Sequence, residues 1–200
     1  MAPRGLILAS CALLASGLTG CAGAPAPSPE SPQYLDPVTA AMVTSVSSPM
    51  VFARAHQDVS ANSRQYLTVA AVSVNRSGRY EYLLLVYLWS TVDPRLGADR
   101  HPGQNLIWLA DDRAIRLVRD TRSMQEAGVS RPLYAPEHQR GRLAHGSSGP
   151  RIYRTDRQTL LFLSSAKRLR LVLEGDDDAR PFDVWTDGRR ALGALAAAGN

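Results

Sequence analysis

The chain has 200 residues, a formal net charge of +5, 44% hydrophobic and 20% charged residues, a balance that excludes a multi-span membrane protein and a disordered chain and leaves room for one folded domain. Its positive charge is almost all arginine, Lys167 being the single lysine, and no basic and aromatic residues interleave as in a nucleic-acid surface, so no nucleic-acid partner is expected. The two cysteines are Cys11 and Cys21, both near the start, so the body can form no disulfide, cysteine metal site or thiol nucleophile.

In chain order, Arg4 gives a short positive start, and the apolar run from Leu6 to Ala15 follows, too short for a membrane span of about 20 residues. Next comes Leu18-Thr19-Gly20-Cys21, an apolar residue, two small ones and a cysteine. This arrangement resembles the lipobox signal of bacterial lipoproteins. The resemblance implies a signal peptide over 1–20, cleavage before Cys21 and acyl chains on that cysteine. Two such chains hold a protein stably to a bilayer without spanning it. Removing Arg4 with the leader takes the charge from +5 to +4. In Gram-negative lipoproteins an aspartate after the cysteine retains the protein at the inner membrane; Ala22 stands here, which implies the outer membrane, periplasmic face, if the host is Gram-negative.

Residues 21–33 form the lipidated start and a linker, AGAPAPSPESP over 22–32, with prolines at 25, 27, 29 and 32. In extended polyproline form those eleven residues reach roughly 35 Å. Residues 34–200 are expected to form a single β-rich periplasmic domain. Strands are expected over Val38–Ser45 and Met50–Ala55, separated by Ser47-Ser48-Pro49. The clearest unit is a long antiparallel hairpin, Tyr66–Val74 and Tyr80–Trp89, turning through Asn75-Arg76-Ser77-Gly78. The unbroken apolar run from Tyr82 to Trp89 predicts a strand covered on both faces.

A second hairpin is expected from Leu106–Leu109 into Ala114–Val118. Arg113, Arg116, Arg119 and Arg122 recur every third residue, as on a helical stripe, but Ile115 and Leu117 alternate with polar neighbours and favour a strand. Residues 121–151 read as a long loop. Thr155 with Gln158 three residues later has the form of a capping box before a short buried helix at Leu160–Leu163. Arg168–Leu173 alternates as a half-exposed strand, expected to pair with Pro181–Trp185 across Gly175–Asp178. A terminal helix over Arg189–Ala198 places Leu192, Leu195 and Ala196 on one face. The fold class is mainly β, an antiparallel sandwich or strongly bent sheet with one or two short helices in the C-terminal third.

Chemistry is sparse. His138 and His145, beside Glu137, fit no metal-ligand spacing, and His56 and His101 sit in expected loops. Asp176-Asp177-Asp178 lacks the alternation of a calcium loop and reads as a solvated turn, as does Asp111-Asp112. Gly146-Ser147-Ser148-Gly149 lacks the spacing of a nucleophile elbow, and there is no P-loop or dinucleotide fingerprint. No catalytic, cofactor-binding or metal residue is nominated and no cofactor is expected; the one site residue is Cys21, for lipidation. Tyr34-Leu35-Asp36-Pro37, Pro49-Met50-Val51-Phe52-Ala53-Arg54, Val74-Asn75-Arg76 and Leu88-Trp89-Ser90-Thr91 resemble stretches of uncharacterised proteobacterial lipoproteins, which carry no activity to transfer.

Three functions follow as expectations. The first is a non-catalytic envelope binding or assembly module, held to the membrane through the acyl chains on Cys21 and meeting an envelope protein or glycan. The second is a periplasmic hydrolase acting on cell-wall or lipid material, with its site in the 121–151 loop. The third is an accessory lipoprotein of a secretion or envelope machine.

Overall fold

A computed structural model describes residues 31–55, 63–90, 105–131, 133, 149–176 and 180–198. The expected leader, Cys21, the linker up to residue 30 and all four histidines lie outside the described residues.

Eleven strands and two helices follow one another as β1 (Gln33–Leu35), β2 (Met42–Ser45), β3 (Met50–Ala55), β4 (Arg64–Arg76), β5 (Arg79–Ser90), β6 (Leu106–Ala110), β7 (Arg113–Leu117), β8 (Arg119–Asp120), β9 (Arg151–Thr155), α1 (Arg157–Ser165), β10 (Leu169–Leu173), β11 (Phe182–Thr186) and α2 (Arg189–Ala198). Every strand pairing is antiparallel, in the order β7-β6-β10-β11-β3-β4-β5-β9-β8. The sheet nearly closes on itself, because β7 at one end of that order and β8 at the other are separated in the chain by Val118 alone. The result is a mainly β, strongly bent antiparallel sheet with two short helices in the C-terminal third.

The spine is the β4–β5 hairpin, paired without interruption from Gln65↔Ser90 to Arg76↔Arg79. Its two-residue turn needs left-handed backbone at both positions, supplied by Ser77 (φ 52°) and Gly78 (φ 86°), and Asn75 Oδ1 accepts the Gly78 N–H at 2.8 Å. Side chains alternate between the two faces of each strand. One set, including Leu67, Val69, Leu84 and Val86, points inside and meets Phe52, Trp108, Tyr153, Leu171 and Phe182. The other set, including Val72, Val74, Leu83 and Leu85, points outward, where Ala41 and Val43 with Ala127, Val129 and Ile152 cover it. The apolar run in β5 is thus buried on both faces, as its composition predicts.

The two helices pack together against the inner core through Leu160, Leu163, Leu192, Leu195 and Ala196. Arg157 Nε donates to the Ala196 carbonyl at 2.7 Å, and Arg189 donates to the Ala166 carbonyl, lacing one helix to the other. The α1 cap differs by one residue from the expected capping box. Asp156, in extended backbone, accepts the Thr159 N–H at 2.7 Å. A carboxylate beside the amide-rich first turn outcompetes the Thr155 hydroxyl.

Two other expectations need correction. The strand expected from Val38 begins only at Met42, because residues 36–41 turn around Asp36. Asp36 Oδ1 accepts the N–H groups of Val38 and Thr39, both at 3.0 Å, while Oδ2 accepts the Ser130 N–H at 2.7 Å and its hydroxyl at 2.8 Å. The region read as one loop over 121–151 begins with a turn, Met124–Gly128, that buries Ala127 and Val129, and at its far end Arg151 already belongs to β9. The Arg113–Leu117 segment is a strand, as its alternation indicates.

Candidate functional site

At the end of the barrel away from the helices, the interior is crossed by Arg54. Its guanidinium donates to Gln65 Oε1 at 2.6 Å, to the Arg180 carbonyl at 3.2 Å and to Asp176 Oδ2 at 2.6 Å, and lies 4.2 Å from the centre of the Phe182 ring. A buried charge of this kind persists because each of its three nitrogens donates a hydrogen bond, one of them to a carboxylate. Among the described residues, large apolar side chains and this ion pair occupy the inside of the sheet.

Outside, β11 departs from regular pairing. Val184 faces Phe52 and Thr186 faces Val51, so Trp185 is an extra residue opposite one step of β3. Alternation from the buried Phe182 sets Trp185 on the outer face, where it stands 57% exposed. Its ring meets Tyr66 edge to face at 6.0 Å, and Tyr66 is stacked on Trp89 at 4.2 Å with an interplanar angle of 12°. The Arg64 guanidinium lies over Trp185 at 5.0 Å. Trp89 is fixed from below, its Nε1–H donating to Thr68 Oγ1 at 2.9 Å. Ala53 separates Tyr66 from Asp183 in the register, and this small side chain leaves the aromatic rings standing above the strand between them.

The exposed Trp185, the half-buried Tyr66 and the Arg64 guanidinium, backed by the buried Trp89, form a platform on the outer face of the sheet. Trp, Tyr and Arg dominate binding energy at interfaces because they offer large amphipathic area at low conformational cost. A lone exposed tryptophan would need no explanation; one set edge to face against a stacked Tyr66–Trp89 pair and under an arginine does. The alternation of β4 and β5 foreshadows Tyr66 and Trp89 on one face, but Trp185 joins them only through long-range pairing of β11 with β3, which the sequence does not signal.

The other candidates fall as follows. Cys21, His56, His101, His138, His145, Asp177, Asp178 and Gly146-Ser147-Ser148 lie outside the described residues. Asp176 is not a solvated turn residue but the partner of Arg54. Asp111-Asp112 is an exposed turn, as expected, in which the Asp111 carboxylate accepts the Arg168 N–H at 2.9 Å and the Lys167 N–H at 3.1 Å, which holds its pKa below the usual carboxylate range. Arg116 pairs with Glu174, Arg122 with Asp120 and Glu81, and Arg113 lies over Phe162. These arginines are spread over separate partners and line no common groove. Among the described residues, no group of three or more His, Cys, Asp or Glu side chains could hold a metal ion. Compared with known protein families, with curated proteins and with solved structures, the chain finds no match in any of the three.

Proposed function

We propose that the chain is a lipoprotein anchored through Cys21 on the periplasmic face of the outer membrane, and that its β domain is a non-catalytic module that binds another envelope component on the Trp185 platform. The observation that carries the binding reading is the exposed Trp185 ring set against Tyr66, its stacked partner Trp89 and Arg64. An interior occupied by apolar side chains and the Arg54–Asp176 pair supports an exterior site over an enclosed one. The anchor reading is supported by the leader, the lipobox and the proline-rich spacer, which ends where the described domain begins.

Two measurements test the two halves. Mass spectrometry of the processed protein from cells is expected to find a diacylglyceryl group on Cys21 as the first residue, lost in Cys21→Ser; an unmodified start elsewhere refutes the anchor. For the platform, a photo-crosslinking residue at position 185 is expected to capture a discrete envelope partner, or purified cell-wall sacculi to retain the protein. Arg64→Ala is expected to weaken that capture by about tenfold or more. If a crosslinker at 185 gives no product and the sacculi retain nothing, the platform is not a binding site.

A further inference from the structure

The opposite end of the hairpin carries a second surface of different chemistry. Leu35, Met42, Asn75 and Tyr80 stand in one row across β1, β2, β4 and β5, and alternation puts their side chains on a shared face. Leu35 is 61% exposed and Tyr80 49%, and Val38, in the Asp36 turn at the same end, is 60% exposed. Three of the large hydrophobics exposed among the described residues thus lie at the same end of the molecule. By the same alternation, cations stand on the other face of this tip. Arg76 and Arg79 flank the Ser77-Gly78 turn, and the Arg131 guanidinium lies 3.8 Å from the centre of the Tyr34 ring, on β1. Arg76 donates to the Glu126 main-chain carbonyl at 2.8 Å. The nearby acids are engaged: Glu126 by the N–H and hydroxyl of Ser123, Asp36 by its four donors, Glu81 by Arg122 and Arg154.

We infer that this tip docks on the surface of an anionic phospholipid bilayer. Aliphatic side chains and a tyrosine on one face of the tip suit the interfacial zone, and arginines on its other face suit anionic headgroups. The chain outside the described residues favours this occupant over others. Pro32 lies beside Ser45, to whose N–H its carbonyl is bonded, and Ser45 is in register with Val72. From Val72 to the turn at Ser77 is five steps along β4, roughly 17 Å. In extended polyproline form the spacer back to Cys21 would span roughly 35 Å, enough for the anchor to let the tip reach the bilayer. The inference rests on the anchored reading, but its test does not need the anchor.

The experiment uses residues 21–200 with Cys21→Ser, which lacks acyl chains and retains both cores, and sedimentation with vesicles of pure phosphatidylcholine or with added phosphatidylglycerol. Binding is expected only to the anionic vesicles and to fall steeply at about 0.5 M salt. Each arginine contributes about fivefold, so Arg76→Glu with Arg79→Glu is expected to reduce binding by about 20-fold or more. Leu35→Ser with Tyr80→Ser is expected to reduce it while the melting temperature stays near the parent value. Equal binding by parent and charge-reversed protein overturns the inference, as does no binding to anionic vesicles. So does a solution dimer that both double variants dissolve, which would make the tip a contact between copies. Failure of lipidation in cells would leave all these outcomes unchanged, so the two readings fail separately.

Discussion

Asp36 is the residue on which the outer layer turns. Burial alone would raise its pKa, but the N–H groups of Ser130, Thr39 and Val38 with the Ser130 hydroxyl outweigh it and hold the carboxyl well below its usual range. Asp36→Ala leaves those donors buried without an acceptor and is expected to cost about 3 kcal/mol in urea unfolding. Asp36→Asn turns an amide N–H toward Ser130 and should cost about 2 kcal/mol at neutral pH. A carboxyl depressed in the folded state stabilises above its unfolded pKa near 4, and that stability drains as pH falls toward the folded value. Asp120, held low by Arg122 and Arg154, has the same sign. The gap between parent and Asp36→Asn should therefore narrow between pH 7 and about 2.5; a constant gap would show that the carboxylate charge is not what counts. Nothing local singles out this residue beyond its place three before Thr39, since its strongest partner is Ser130.

At the scale of elements, two glycines separate conformational need from crowding. Gly78 has φ 86° and open space where a Cβ would stand, so Gly78→Ala should cost about 1 kcal/mol. Gly128 has φ 96°, and a Cβ there would lie 2.6 Å from a Val74 methyl and 2.8 Å from Arg76. Gly128→Ala should cost about 3 kcal/mol, because it adds overlap inside the outer core to backbone strain. Thermal or urea unfolding of the two variants gives that ranking directly. The same contrast tells which elements could be read from sequence. The hairpins at Ser77-Gly78 and Asp111-Asp112 were legible because turn chemistry and alternation are local, and so were α2 and the β10–β11 pair. By contrast β8 and β9 are short strands whose partners are distant in the chain, and β1 is only three residues long. Of the platform, only the Tyr66 and Trp89 half lay within reach of a periodicity argument.

For the whole molecule, the β4–β5 spine belongs to both cores at once. Amide exchange should therefore be slowest at Val69–Val74 and Leu83–Val86, approaching the rate of global unfolding, and fastest in β1 and β8. Uniform protection along all strands would contradict two cores sharing one hairpin. The spine also fixes a distance: Tyr66 and Arg76 are ten steps apart on β4, roughly 34 Å. A tip resting on lipid would hold the platform that far into the compartment. Finally, the link through Val118 makes the chain its own closing seam, and β4 and β5 each have neighbours on both sides. Copies crowded side by side on a surface would meet rims too short to zip together, so a protein stored at high density has little tendency to polymerise through its backbone.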